Sequence, residues 1–123
     1  MPLSNDELKK LAELCGLEIA LKEQCADDNG VIEKINAYLR NNDFYCWMSD
    51  WRPDASIEQA SLLDAAMFER GFALELHHLG NGFYRARYIE IANTGFQKIH
   101  QGFSKNEAES RSIAALAALK EET

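Results

Sequence analysis

The sequence is short of nearly everything that would name a chemistry. Its 123 residues include only three cysteines, three histidines and two prolines. Cys15, Cys25 and Cys46 are odd in number and never spaced as Cys-x-x-Cys, so neither a disulfide framework nor a thiolate zinc site is expected. His77 and His78 are neighbours, and adjacent residues of a strand point to opposite faces; His100 alone does not complete a ligand set. No glycine-rich loop joins a strand pattern to a helix pattern, and no serine sits in a nucleophile elbow. Catalytic residues, a metal and a cofactor are therefore not expected. No run approaches the ~20 apolar residues of a membrane-spanning helix. The opening Met1-Pro2-Leu3-Ser4-Asn5-Asp6 lacks the basic and apolar stretches of a secretory leader, which gives the expectation of a cytoplasmic protein with no membrane partner.

What is present is a hydrophobic share of 46%, enough for one domain over residues 1–123 to build a core without cross-links. The net charge is −7, and it is unevenly placed: residues 1–70 carry 14 acids and 7 bases, whereas residues 71–123 carry six of each. An acidic surface opposes binding to phosphate backbones, so no direct nucleic-acid partner is expected. It suits a basic protein partner, or simply solubility.

Ser4 and Glu7 form a capping-box pattern ahead of Leu8, Leu11, Ala12 and Cys15, which predicts a first helix closed by Gly16. Residues 17–25 fit a strand or a continuing helix. Asp27-Asp28-Asn29-Gly30 reads as a turn. Val31, Ile32, Ile35, Tyr38 and Leu39 recur at helical spacing, and Asn41-Asn42-Asp43 ends that segment. Residues 44–53 are aromatic and read as irregular or partly extended. A second capping-box pattern, Ser56 with Gln59, opens a helix that stops at Gly71. Phe72, Leu74 and Leu76 alternate with polar residues as a half-buried strand does, and Gly80-Asn81-Gly82 turns the chain back into residues 83–92. There Tyr84, Ala86 and Tyr88 share a face, Arg85 and Arg87 take the other, and the shift to Ile89 and Ile91 predicts a bulge or a sheet edge. Asn93-Thr94-Gly95 is a further turn, 96–103 a third strand, and Ser104 with Glu107 a third capping box before an Ala-rich helix over about 105–120. The expected class is α+β: a three-stranded antiparallel sheet packed with helices in an α-β-α sandwich-like manner, with extra N-terminal helices.

Residues 47–120 resemble the phage ABA sandwich domain of small bacteriophage and prophage proteins. The likeness is carried by Trp51-Arg52-Pro53-Asp54-Ala55-Ser56-Ile57, by the Gln59–Gly71 segment leading into Phe72-Ala73-Leu74-Glu75-Leu76, and by Ser104-Lys105-Asn106-Glu107-Ala108 with the alanines that follow. Residues 1–46 would then be an N-terminal helical part. The resemblance implies a fold and a phage setting inside a bacterial host cell, and no settled activity.

Two function classes follow, neither enzymatic. In the first, the protein binds and inhibits a host bacterial protein, such as a nucleic-acid-binding defence component, in the manner of an anti-CRISPR-like anti-defence inhibitor. Its contact residues would be Asp27, Asp28, Asp43, Asp50, Trp51, Asp54 and Glu58. In the alternative, Tyr84, Arg85 and Arg87, with Trp51, bind a small ligand such as a signalling nucleotide, arginine meeting phosphate and the rings stacking on the base. A structural or accessory phage protein is a third reading, and all three are compatible with a homo-oligomer.

Overall fold

In the computed structural model of the protein, residues 3–25, 30, 32–91 and 98–122 are described. They form an α+β fold of three helices and two three-stranded antiparallel sheets. Helix α1 (Asn5–Leu14) is followed by β1 (Glu18–Cys25), β2 (Ile32–Arg40) and β3 (Asp43–Trp47), which make the N-terminal sheet in the order β1-β2-β3. A 3₁₀ turn, Met48–Asp50, leads to α2 (Ile57–Glu69). The C-terminal sheet, β4 (Phe72–His78), β5 (Tyr84–Glu90) and β6 (Ile99–Ser104), then precedes α3 (Glu107–Glu122).

Helix α1 forms as its sequence indicates. The Ser4 hydroxyl accepts from the Glu7 N–H at 3.2 Å, and the Glu7 carboxylate accepts from the Ser4 N–H at 3.0 Å. At the far end the Leu17 N–H reaches the Ala12 carbonyl and the Gly16 N–H the Glu13 carbonyl, the paired closure that needs a left-handed residue between them. Gly16 supplies it with φ of 74°. Leu8, Leu11 and Ala12 are buried, and Leu17 follows them into the core.

The helix expected over 31–40 is instead the strand Ile32–Arg40, with Val31 outside the described residues, so among the described residues of 1–46 the expected N-terminal helices reduce to α1. Ile32, Ile35, Tyr38 and Leu39 do fit helical spacing. Yet the segment has a continuous partner in β1, from Glu18 opposite Leu39 to Cys25 opposite Ile32. Asn41-Asn42 then fixes a second hairpin: both residues have positive φ, 54° and 70°, the conformation of a tight two-residue turn between Arg40 and Asp43. Asparagine visits that region more readily than other side chains do.

Strand β3 carries one extra residue. Tyr38 pairs with Cys46 while Leu39 pairs with Phe44, which leaves Tyr45 as a bulge. The bulge sorts the aromatic segment by face. Phe44 and Trp47 meet edge-on at 5.0 Å on the outer side, and Tyr45 turns in toward Trp51 at 6.4 Å. Trp51 also meets Tyr38 edge-on at 6.0 Å, and its indole N–H donates to the Leu8 carbonyl at 2.8 Å. One core cluster thus joins Leu8 of α1, Tyr38 of the N-terminal sheet, Met67 of α2, Tyr88 of the C-terminal sheet and Leu116 of α3.

The C-terminal half follows its pattern closely. The Ser56 hydroxyl accepts from the Gln59 N–H, but Gln59 does not complete a capping box. Its carboxamide accepts from the Arg52 N–H and donates to the Asp50 carbonyl at 2.9 Å, tying down the turn before the helix. Helix α3 is capped by Asn106 rather than Ser104: the Asn106 side chain accepts from the N–H groups of Ala108 and Glu109. The bulge or edge expected in β5 is absent. Its register with β4 and β6 is unbroken, β5 is the central strand, and Ile89 simply occupies the same face as Arg85 and Arg87. The turn expected at 93–95 and the start of the 96–103 strand lie outside the described residues, and β6 ends at Ser104.

Helix α3 lies almost on the backbone of β6. A Cβ built on Gly102 would stand 2.4 Å from the Ser110 carbonyl oxygen and 2.8 Å from the Ala114 nitrogen. The buried small residues Ala108, Ser110, Ala114 and Ala118 permit that approach. Among the described residues no helix is long and apolar enough to cross a membrane.

Candidate functional site

The two faces of the C-terminal sheet differ in kind. Phe72, Ala86, Tyr88, His100 and Gly102 point toward α2 and α3 and are buried. Across the sheet, the register puts Ala73, Glu75 and His77 of β4 beside Ile89, Arg87 and Arg85 of β5, and these beside Ile99, Gln101 and Phe103 of β6. This second face is open. Ile99 is 44% exposed and Phe103 49%.

Its charges are unequally satisfied. Glu75 accepts from Arg87 Nη1 at 3.1 Å and is in contact with His77 Nε2. The His77 contact, aided by the nearby arginines, holds the Glu75 carboxyl below the usual range. Arg85 has no such partner among the described residues. Its Nε is buried and makes no hydrogen bond, and the Nε of Arg87 is likewise unbonded. Arg85 pairs across the sheet with the half-exposed Phe103, and Lys105 sits 5.6 Å from the Phe83 ring nearby. An otherwise acidic protein thus presents one surface that carries two arginines, with Phe103 beside Arg85.

The other predicted site residues are scattered by the fold. Trp51 is 1% exposed and Asp54 4%, so neither is a surface contact; Trp51 anchors the core, and Asp54 accepts from Arg52 at 2.9 Å. Asp43, Asp50 and Glu58 are exposed, and Asp27 and Asp28 lie outside the described residues. The acids do not share one face. Glu18 and Glu33 fall on one side of the β1–β2 hairpin and Glu23 on the other, while Asp6 and Glu7 belong to the first turn of α1. Nor do the ligand residues converge. Tyr84 points to the opposite face from Arg85 and Arg87, where it stacks on His78 at 4.8 Å. Clefts of about 410, 460 and 350 Å³ occur elsewhere, the first between α1, Arg70 and α3, and Tyr84, Arg85 and Arg87 line none of them.

The chain matches no family model, no curated protein and no solved structure. Its functional reading therefore rests on these surfaces.

A buried polar network escaped the sequence reading. Tyr88 donates its O–H to Asp64 at 2.6 Å, and Arg111 donates to Asp64 at 3.2 Å and to Glu107 at 2.6 Å. Burial raises the Asp64 carboxyl despite these donors and pushes the Tyr88 phenol well up. The network ties α2, β5 and α3 together on the covered side of the sheet. Its only signal in the sequence is an acid, Asp64, next to Leu63 and one turn from the buried Ala60 and Met67 of α2. Burial also pushes the Cys15 thiol up to about 12 and the Cys46 thiol to about 11, so neither supplies a thiolate near neutral pH. Among the described residues no group of three or more His, Cys, Asp or Glu could hold a metal ion.

Proposed function

We propose that the protein works by binding another protein, and that the open face of the C-terminal sheet is the contacting surface. The observation that supports this most is Arg85. It is a half-buried arginine whose Nε has no hydrogen-bond partner among the described residues, held on a strand beside a half-exposed phenylalanine. Arginine and aromatic residues dominate the energetics of protein interfaces, where a partner carboxylate supplies the missing acceptors. The surface is a sheet face rather than a cleft, and small ligands favour concave sites. The partner would offer an acidic group to Arg85 and an apolar patch to Ile99 and Phe103. With the resemblance to small phage proteins, the reading extends to an inhibitor that occupies a host protein and blocks its work, as an anti-defence protein does. The acidic excess of residues 1–70 then serves solubility rather than recognition.

A photo-crosslinking side chain at Gln101, exposed on this face beside Arg87, tests the proposal in host cells. One discrete host protein should be captured, and Arg85→Glu should weaken its binding by roughly thirtyfold, the loss typical of a hot spot of about 2 kcal/mol. Capture that is equally strong from a crosslinker at Glu33, or unaffected by Arg85→Glu, would sink it.

A further inference from the structure

Among the described residues strand β1 is an edge: it pairs with β2 on one side and has no strand on the other. Such an edge is a template for another strand unless proline, charge, a bulge or shortness blunts it. The opposite edge, β3, is blunted, being five residues long and bulged at Tyr45. Strand β1 is eight residues long, its register is unbroken, it has no proline, and it exposes Ile19 at 53% and Leu21 at 63%.

We propose that two copies of the chain associate through β1, antiparallel about a two-fold axis at Ala20, to form a continuous six-stranded sheet. The register follows from the sequence Glu18-Ile19-Ala20-Leu21-Lys22. Antiparallel partners share a face, so a two-fold axis normal to the sheet must pass through a residue. With Ala20 on the axis, Glu18 stands opposite Lys22 of the second copy, Ile19 opposite Leu21, and the small Ala20 opposite itself. Within Glu18–Lys22 both exposed apolar side chains then gain an apolar neighbour and both charges gain their opposite, while Glu23 falls beyond the paired core of the seam, opposite Leu17. An axis through Leu21 sets Ile19 against Glu23, and an axis through Lys22 sets Leu21 against Glu23 and Lys22 against itself. Neither Glu18 nor Lys22 has an ion pair within its own chain among the described residues; they lie across from Leu39 and Ile35.

Sedimentation of the full chain over a concentration series tests this, with far-UV circular dichroism confirming the fold of each variant. The wild type should dimerise. Glu18→Lys and Lys22→Glu should each weaken the dimer about tenfold or more, because two-fold symmetry counts each altered pair twice. The exchange of both, Glu18→Lys with Lys22→Glu, should restore it. A monomeric wild type overturns the proposal. So do single variants that dimerise as the wild type does, or a folded double variant that stays monomeric. If the variants prove unfolded, Ala20→Cys replaces them: a disulfide joining position 20 of one copy to position 20 of the other, found by peptide mapping, upholds the register, and its absence overturns it.

Discussion

The two sheets are built on the same plan and held by different means. The C-terminal sheet is clamped on one side. Helix α3 rests on Gly102 at backbone distance, and the Tyr88–Asp64–Arg111 network binds both helices to the central strand. Among the described residues the N-terminal sheet has no comparable covering layer. It joins the body through Tyr38, Tyr45 and Trp51, and much of its β1–β2 hairpin is exposed on both faces. Identical topology need not confer equal stability. Close covering and cross-linking hydrogen bonds favour it, and the less covered sheet is the one expected to open first or to take a partner along its edge.

Trp51→Ala should disturb this contrast most. Removing a fully buried tryptophan should cost about 3–5 kcal/mol and uncouple the N-terminal sheet from the body. Amide hydrogen exchange should then show β2 opening well before β5; simultaneous opening of both would mean that the sheets form one cooperative unit. Next is Gly102→Ala, which drives a methyl into the backbone of α3 and should cost about 3 kcal/mol in chemical denaturation. A loss under 1 kcal/mol would show that α3 can slide away from β6.

How far such contacts are legible in the sequence differs between the halves. From Ser56 onward each turn of the chain is marked by a cap or a glycine turn, and alternation between them names the strands. Residues 31–43 mislead because two periodicities fit them, and the deciding residues, Asn41 and Asn42, can stop a helix as well as close a hairpin. Trp51 and Asp54 stand out as a tryptophan and an acid in a polar stretch. Burial is a property of the assembled fold, and only the nearness of Arg52 to Asp54 hints at an internal pair. Alternation places Arg85 and Arg87 together, as the structure does, and that same alternation separates Tyr84 from them.

A milder effect is expected at the junction of the two halves. Cys15 lies at the end of α1, and burial pushes its thiol from an ordinary value of 9.0 up to about 12. At pH 8 its thiolate fraction should be about a thousandfold lower than that of an unfolded cysteine. Alkylation followed by peptide mapping should find Cys15 nearly inert in the native protein and reactive in urea. Because the folded thiol keeps its proton where the unfolded one loses it, this group's stabilising effect is complete below pH 9 and is lost as the pH climbs toward 12. Rapid native alkylation at pH 8 would mean that the junction opens readily.

The bulge at Tyr45 has a consequence for how this chain can vary in length. Strands are read two residues at a time, and the extra residue acts as a frame shift in that reading. Upstream of it Phe44 is in the outward phase; downstream, Trp47 is brought back into it. Deleting Tyr45 would leave Phe44, Cys46 and Trp47 in plain alternation opposite Leu39, Tyr38 and Ala37, so both phases would be kept and only the ring that meets Trp51 would be lost. Deletion of Tyr45 should therefore cost about as much as Tyr45→Ala, since each loses the same ring contact and neither moves Cys46 or Trp47 to the other face.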